Sequence, residues 1–249
     1  MREPLSKARS VRALFDSIAV RYDLVNQVIT LGQIGRWRER VAREVGRHKP
    51  RLVLDLGTGT GDLALAIARR TGQESHILGF DLSPKMMRQA QAKARRRGLQ
   101  GRISFVLADA TALPLRDGAV DCLVNAFFLR HLSDLPSSFA ELHRVLRVGG
   151  RVSFLELTQP ARSPLRPLFR LWFNRVVPLM GGWMSGNRQA YEYLPDSLRT
   201  FPNAVELAGL LREAGFESVD CRLLGMGTVA LHSGVKTAGA ERRPRAQQG

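Results

Sequence analysis

Apolar and polar positions follow two rhythms along this chain. Up to about Gly46 the apolar residues recur at helical spacing: Val11–Ala19, Leu24–Leu31, and Trp37–Val45 with Val41, Ala42 and Val45 on one face. From Leu52 the rhythm changes. Short apolar runs (Leu52–Leu56, His76–Phe80, Ile103–Leu107, Val120–Phe127) alternate with helical stretches reaching Arg70, reaching Arg97 and spanning Leu135–Leu146. Gly149–Gly150 is expected to turn the chain into a further strand, Arg151–Leu157. Alternation of strand and helix specifies a parallel sheet with right-handed crossovers. Phe216–Leu224 and Gly227–Ser233, joined at Gly225, read instead as an antiparallel hairpin at the sheet edge. The fold class is therefore α/β. A helical cap is expected over residues 1–46 and the sheet domain over 47–236, with an insertion at about 160–202 placed as a lid. The polar residues 237–249 are expected to be a disordered tail.

The candidate chemistry sits where the first strand meets its helix, in Leu54–Leu63, LDLGTGTGDL. Gly57, Gly59 and Gly61 let backbone approach a ligand where a Cβ would clash, and the helix that follows opens with unpaired N–H groups. A dinucleotide loop reads G-x-G-x-x-G and holds a pyrophosphate. Here the third glycine comes one residue early, and Asp62 would repel a pyrophosphate. S-adenosyl-L-methionine has no phosphate, and its reacting centre is a cationic sulfonium. Asp55 before the loop and Asp62 inside it suit that ligand better. Asp81, ending the second strand, is placed to accept ribose hydroxyls. Asp109 and Ala110, after the third strand, are placed to bracket the adenine. The loop and two strand-end acids in this order predict a class I methyltransferase with a Rossmann-like sheet.

Composition narrows the surroundings. The 249 residues suffice for one α/β domain with an elaborated cap. No run is long and apolar enough for a membrane span, no signal-peptide core is evident, and Cys122 and Cys221 fall in apolar strands as small core residues. These features predict a cytoplasmic protein; the two cysteines lack metal-ligand spacing, and no metal is expected. The formal charge of +16 admits nucleic acid, an anionic membrane surface or an arginine-rich solvated surface. The basic residues are not organised as an RNA-binding module with stacking aromatics, so no nucleic-acid partner is expected. A homodimer is among the assemblies the sequence admits.

With these residues in hand, the chain resembles the ubiquinone/menaquinone biosynthesis C-methyltransferases from Val11 to Lys236. The likeness is carried by FDSIAVRYDLVNQVITLGQIGRWR (Phe15–Arg38), LDLGTGTGDL, DATALPLRDGAVDCL (Asp109–Leu123), ELHRVLRVGGR (Glu141–Arg151) with FLELTQP, AYEYLPDSLRTFP (Ala190–Pro202), AGFESVD and GTVALHSGVK. The resemblance implies cofactor contacts at Thr60, Asp81, Asp109 and Ala110, with Gly57 and Gly59 shaping the loop. It implies another at Ala126, where the family commonly has serine. The next stretch usually reads F-G-L-R-N; here it is Phe127, Phe128, Leu129, Arg130, His131. The implied substrate is a demethylmenaquinol-type or related polyprenyl quinol, methylated on a ring carbon.

A quinol carbon is nucleophilic when the adjacent hydroxyl is ionised, and at neutral pH that costs roughly 4 kcal/mol for a phenol pKa near 10. Arg130 stays protonated and is assigned to stabilising the phenolate. His131 either assists as a proton acceptor or is a structural residue opening the next helix. Tyr22 either presents its ring or hydroxyl to the sulfonium or packs the cap. The lid supports two readings as well. Leu165, Leu168, Phe169 and Trp172 follow a helical rhythm beside Arg166 and Arg170. Such a helix either covers the domain or rests peripherally on the anionic inner membrane face. Other activities stay open: methylation of another small lipophilic molecule, RNA methylation, or S-adenosylmethionine binding without catalysis.

Overall fold

A computed structural model describes residues 3–159, 166–185 and 195–239. The cap consists of α1 (Glu3–Ile18), a single 3-10 turn, α2 (Tyr22–Ile29) and α3 (Ile34–Arg47). Then follow β1 (Leu52–Leu56), α4 (Asp62–Ala68), β2 (His76–Asp81), α5 (Pro84–Arg96) and β3 (Ile103–Leu107). β4 (Val120–Ala126), α6 (Leu135–Val145) and β5 (Leu146–Leu157) complete the parallel part. The lid holds α7 (Arg166–Leu171), a π-helical turn (Trp172–Val176) and α8 (Val177–Ser185), with a helical turn at 195–199. α9 (Ala204–Glu213), β6 (Phe216–Leu224) and β7 (Val229–Lys236) close the chain.

The strands form one sheet in the order β3-β2-β1-β4-β5-β7-β6. β7 alone runs against its neighbours, pairing antiparallel with both β5 and β6. The order turns round at β1, which has β2 on one side and β4 on the other. In open parallel sheets, the carboxyl ends of the strands at that point border the ligand crevice.

Side chains alternate across the sheet. Val53 on β1 packs with Val41, Val45, Leu65 and Ile67 under α3 and α4. Leu54 and Leu56 pack with Phe139, Leu142, Phe154 and Leu211 on the opposite face. Two fully covered faces explain the continuous apolar runs of the inner strands.

One expectation changes. Gly149–Gly150 is not a turn before the fifth strand: β5 already begins at Leu146 and carries both glycines. The irregularity is absorbed in the register, where Val120 pairs Leu146 but Cys122 pairs Arg151. Gly149, at φ 77°, takes the backbone excursion that a bulge of this kind needs. In the insertion, Phe169 and Trp172 of the expected apolar face pack with buried Phe173 and Val177, and the helix runs on through Ser185. Phe173 and Val177 are buried while Leu171, Leu179 and Trp183 are exposed, so apolar residues face both inward and outward. The side chains of Leu165, Arg166, Leu168 and Arg170, on which the amphipathic expectation also rested, lie outside the described residues, as does the tail from residue 240.

Candidate active site

β1 delivers the chain to a loop that only glycine permits. Gly57, Gly59 and Gly61 all have positive φ (61°, 56° and 81°). At Gly57 a Cβ would stand 2.1 Å from the Phe128 ring, so the loop and the turn after β4 are in direct contact. Gly61 then caps α4.

Asp81 ends β2 beside this loop. Its Oδ2 accepts from the Gly59 N–H and its Oδ1 from the Ser83 N–H, each at 2.8 Å. Burial raises its pKa, while these N–H donors pull it back. Each oxygen keeps lone-pair capacity for a further donor. Ser83 caps α5 by accepting from Met86 N–H, and its hydroxyl donates to Asp16 of the cap at 2.5 Å. Asp109 accepts from the N–H and hydroxyl of Thr111, which fixes the turn after β3.

Gly57, Gly59, Asp81, Asp109, Ala110 and Ala126 border one cleft of about 160 Å³. Asp55 and Thr60 border an adjoining recess of about 20 Å³ with Arg38 and Asp62, and this recess shares Tyr22, Gly57, Gly59 and Ala126 with the cleft. Asp55 is buried, accepts from the Thr58 hydroxyl at 2.7 Å, and leaves Oδ1 without a partner. Burial pushes its pKa to about 7. The Thr60 hydroxyl is engaged by protein on both sides: it donates to Asp23 at 2.6 Å and accepts from Lys93 at 3.0 Å. The Thr60 hydroxyl has therefore spent its donor and keeps one lone pair for a further donor, beside its backbone.

Asp62 is also committed, to Arg38 at 2.7 Å and Lys93 at 2.6 Å. Burial opposes its charge, but Arg38 and Lys93 outweigh burial and hold its pKa low. Lys93 reaches Asp23 of α2 at 2.5 Å as well. Asp62 thus helps to tie the cap to the loop.

A third space, about 300 Å³, lies between the cap, the lid and the end of the sheet. Ile29, Trp37, Phe127, Leu157, Trp172 and Phe173 give it apolar walls, and Arg130 is the charged residue among the described ones that line it. Tyr22 and Phe127 border both this cavity and the cleft. Phe127 holds φ at 66°, unusual for a bulky residue, and its N–H donates to the Leu155 carbonyl at 2.7 Å. Strain of this sort costs on the order of 1–3 kcal/mol and gathers at functional sites. Burial raises the Tyr22 pKa, against the pull of Arg38 and Arg130.

The turn Leu129–His131 separates two residues expected to work together. Arg130 borders the apolar cavity, with Nη1 3.5 Å from Glu156 Oε2. His131 borders the cleft instead, its ring edge-on to Phe15 at 5.1 Å between centroids. Neighbours on a tight turn project apart. His131 is therefore not placed beside Arg130 as its assisting base.

Sequence reading missed Arg38, Lys93, Trp37 and Glu156. Glu156 had a signal: it is the lone acid in the apolar run Phe154–Leu157. The others were indistinguishable from ordinary helix residues.

The donor set fits S-adenosyl-L-methionine. Asp81 offers acceptors for ribose hydroxyls, Ala110 and Phe80 offer apolar cover, and the orphaned Asp55 Oδ1 with Arg38 suits an ammonium and a carboxylate. The ubiE/COQ5 methyltransferase family model matches residues 3–236. The Thermus thermophilus protein named demethylmenaquinone methyltransferase is 42% identical over 221 residues, covering 89% of this chain and 99% of that protein. The Desulfotalea psychrophila ubiquinone/menaquinone biosynthesis C-methyltransferase UbiE is 38% identical, covering 93% of this chain and 92% of that one. Among solved structures, a SAM-dependent methyltransferase from Aquifex aeolicus aligns with TM-score 0.60 at 18% identity, over 86% of this chain and 97% of that one. One from Methanococcus maripaludis aligns with TM-score 0.62 at 20% identity, over 90% and 94%. These two share the fold. A cofactor cleft at the sheet's turning point, matched by a family model over nearly the whole chain, makes this protein a member of the ubiE/COQ5 methyltransferase family and an S-adenosylmethionine-dependent C-methyltransferase.

Proposed function

We propose that the protein methylates a ring carbon of a demethylmenaquinol-type polyprenyl quinol. One observation carries this reading: an apolar cavity adjoins the cofactor cleft through Tyr22 and Phe127 and holds Arg130 in its wall. The apolar walls accept a quinol ring and the start of its tail, with burial contributing about 0.8 kcal/mol per CH₂. When bound, S-adenosyl-L-methionine supplies an electrophilic methyl group. Asp81, Asp109 and the backbone at Gly57 and Gly59 hold the cofactor, and Asp55 takes the ammonium end. Tyr22 and Phe127 fix the approach between the two spaces, where pre-orientation contributes on the order of 7–11 kcal/mol. Arg130 stabilises the phenolate oxygen, offsetting part of the roughly 4 kcal/mol needed to ionise the hydroxyl.

The cavity also suggests where the tail goes. Leu31 and Met226 line it and are 71% and 72% exposed, so they stand at its mouth. Trp183, Leu179 and Leu24 are exposed apolar residues of the lid and cap. No helix among the described residues is long and apolar enough to cross a membrane. In this reading the mouth rests on an anionic bilayer, and the tail passes from lipid into the cavity.

Purified protein given S-adenosylmethionine and reduced demethylmenaquinone is expected to yield a quinol heavier by one methyl group on carbon. Arg130→Ala should abolish transfer while cofactor binding survives, and His131→Asn should keep most activity. An unmodified quinol, or methylation on oxygen, would refute the substrate assignment. An Arg130→Ala enzyme with parental kcat would remove the arginine from the reaction.

A further inference from the structure

Glu156 lies behind Arg130, near the end of β5, and is 1% exposed. Its Oε1 accepts from the Leu129 N–H at 2.6 Å, and its Oε2 is 3.5 Å from Arg130 Nη1. One carboxylate therefore holds both the backbone and the side chain of the turn that presents Arg130 to the cavity. The pairing is loose. A bidentate pair would occupy two guanidinium donors, whereas here there is one long contact and Arg130 Nε has no partner. The arginine is anchored with donors to spare for a second oxyanion.

Holding the turn does not require a charge, because a glutamine oxygen accepts the same N–H. A buried ion pair with one long contact can return less than its desolvation costs. The charge at Glu156 therefore points to a role other than stability. Burial pushes its pKa to about 7, with Arg130 and the N–H groups of Leu129 and Phe128 pulling it back. Arg130 is in contact with it, and Tyr22 is electrostatically coupled to Arg130. On the β7 side its cross-strand partner is Ala230, and His232 turns Nε2 to the Ala204 carbonyl.

We propose that Glu156 is a positioning residue of the methyl transfer, which aims Arg130 at the quinol oxygen and stores the proton that this oxygen gives up. The inference rests on the Arg130 reading above. The quinol O–H bond breaks and its electron pair stays on the oxygen, facing Arg130. The proton passes by one water at the guanidinium to the Glu156 carboxylate, so the buried set keeps its net charge. After the ring carbon has gained the methyl group, the ring is a neutral dienone. The carboxyl then returns its proton to the oxygen as the ring C–H proton leaves to water. One proton is released per turnover, replacing the positive charge lost from the sulfonium.

Glu156→Gln keeps the acceptor for Leu129 and removes the proton store. Its kcat is expected to fall on the order of a hundredfold, with KM and cofactor affinity within about twofold. The parent's kcat should rise with pH through a midpoint near 7. That limb should vanish in Glu156→Gln and return in Glu156→Asp, with partial recovery of rate. Glu156→Gln with parental kcat, alongside an inactive Arg130→Ala, would overturn the proposal and leave the Arg130 reading intact. An active Arg130→Ala would instead overturn the reading beneath it. Should Glu156→Gln lose cofactor binding through misfolding, the parent's own profile decides: a kcat flat from about pH 6 to 8 overturns the proposal.

Discussion

Asp55 shows at the scale of one residue how a buried acid couples stability to pH. Its carboxyl has one hydroxyl donor, an orphaned oxygen, and a pKa moved by burial from 3.8 to about 7. Between those values the folded state keeps a proton that the unfolded chain has already released. Stability contributed by this group is therefore lost as pH rises from about 4 to 7, the reverse of a salt-bridged aspartate. In Asp55→Asn the penalty is absent. Denaturant melts across that range should show the variant gaining on the parent as pH rises, by up to about 4 kcal/mol. A difference that stays constant with pH would mean that Asp55 is ionised throughout. Asp81 makes a different prediction. Asp81→Ala leaves the ribose hydroxyls without acceptors and should weaken S-adenosylmethionine by about 1–3 kcal/mol. Calorimetry finding near-parental affinity would take Asp81 out of the cofactor site.

The helices and turns are held to one another by polar latches. Lys93 on α5 grips Asp62 at the head of α4 and Asp23 on α2, and Thr60 shares the network. Ser83 ties α5 to Asp16 of α1. The cap is therefore fastened to the glycine loop proposed to hold the cofactor. Lys93→Met would leave two acids facing each other, both partly solvated. A stability loss of about 1–3 kcal/mol and weaker cofactor binding are expected, measured by urea melts and calorimetry. Binding at parental strength would show that the cap closes without this latch. These latches were illegible in sequence, since Lys93 reads as one more basic residue on a basic helix. The glycine loop was legible, because its spacing is local and only glycine tolerates the backbone it needs. The turn after β4 was half legible: Arg130 and His131 were singled out together, yet one faces the cavity and the other the cleft.

Across the whole molecule, the +16 charge and the exposed Leu31 and Met226 at the cavity mouth both suit the anionic bilayer of the proposed function. Arginine near an anionic bilayer contributes about 1 kcal/mol per residue, screened by salt, and an inserted tryptophan adds apolar burial. Reversible binding to vesicles containing anionic lipid, weakened by salt, is the expected outcome. Leu179→Ser with Trp183→Ser should weaken it and slow turnover of long-tailed quinol more than of a short-tailed analogue. Equal losses on both substrates would leave the lid as a cover only. Local pattern alone carries the chain order of strands and helices, the glycine loop and the placing of Asp81 and Asp109 at strand ends. In a parallel sheet every such strand ends on the same edge, so local pattern already places these groups together. Packing settled that Tyr22 and Phe127 join two spaces, that Asp55 shares a recess with Arg38, and that Glu156 pairs with Arg130. Those relations join residues from the cap, the lid and distant strands, and packing rather than local spacing sets which of them meet.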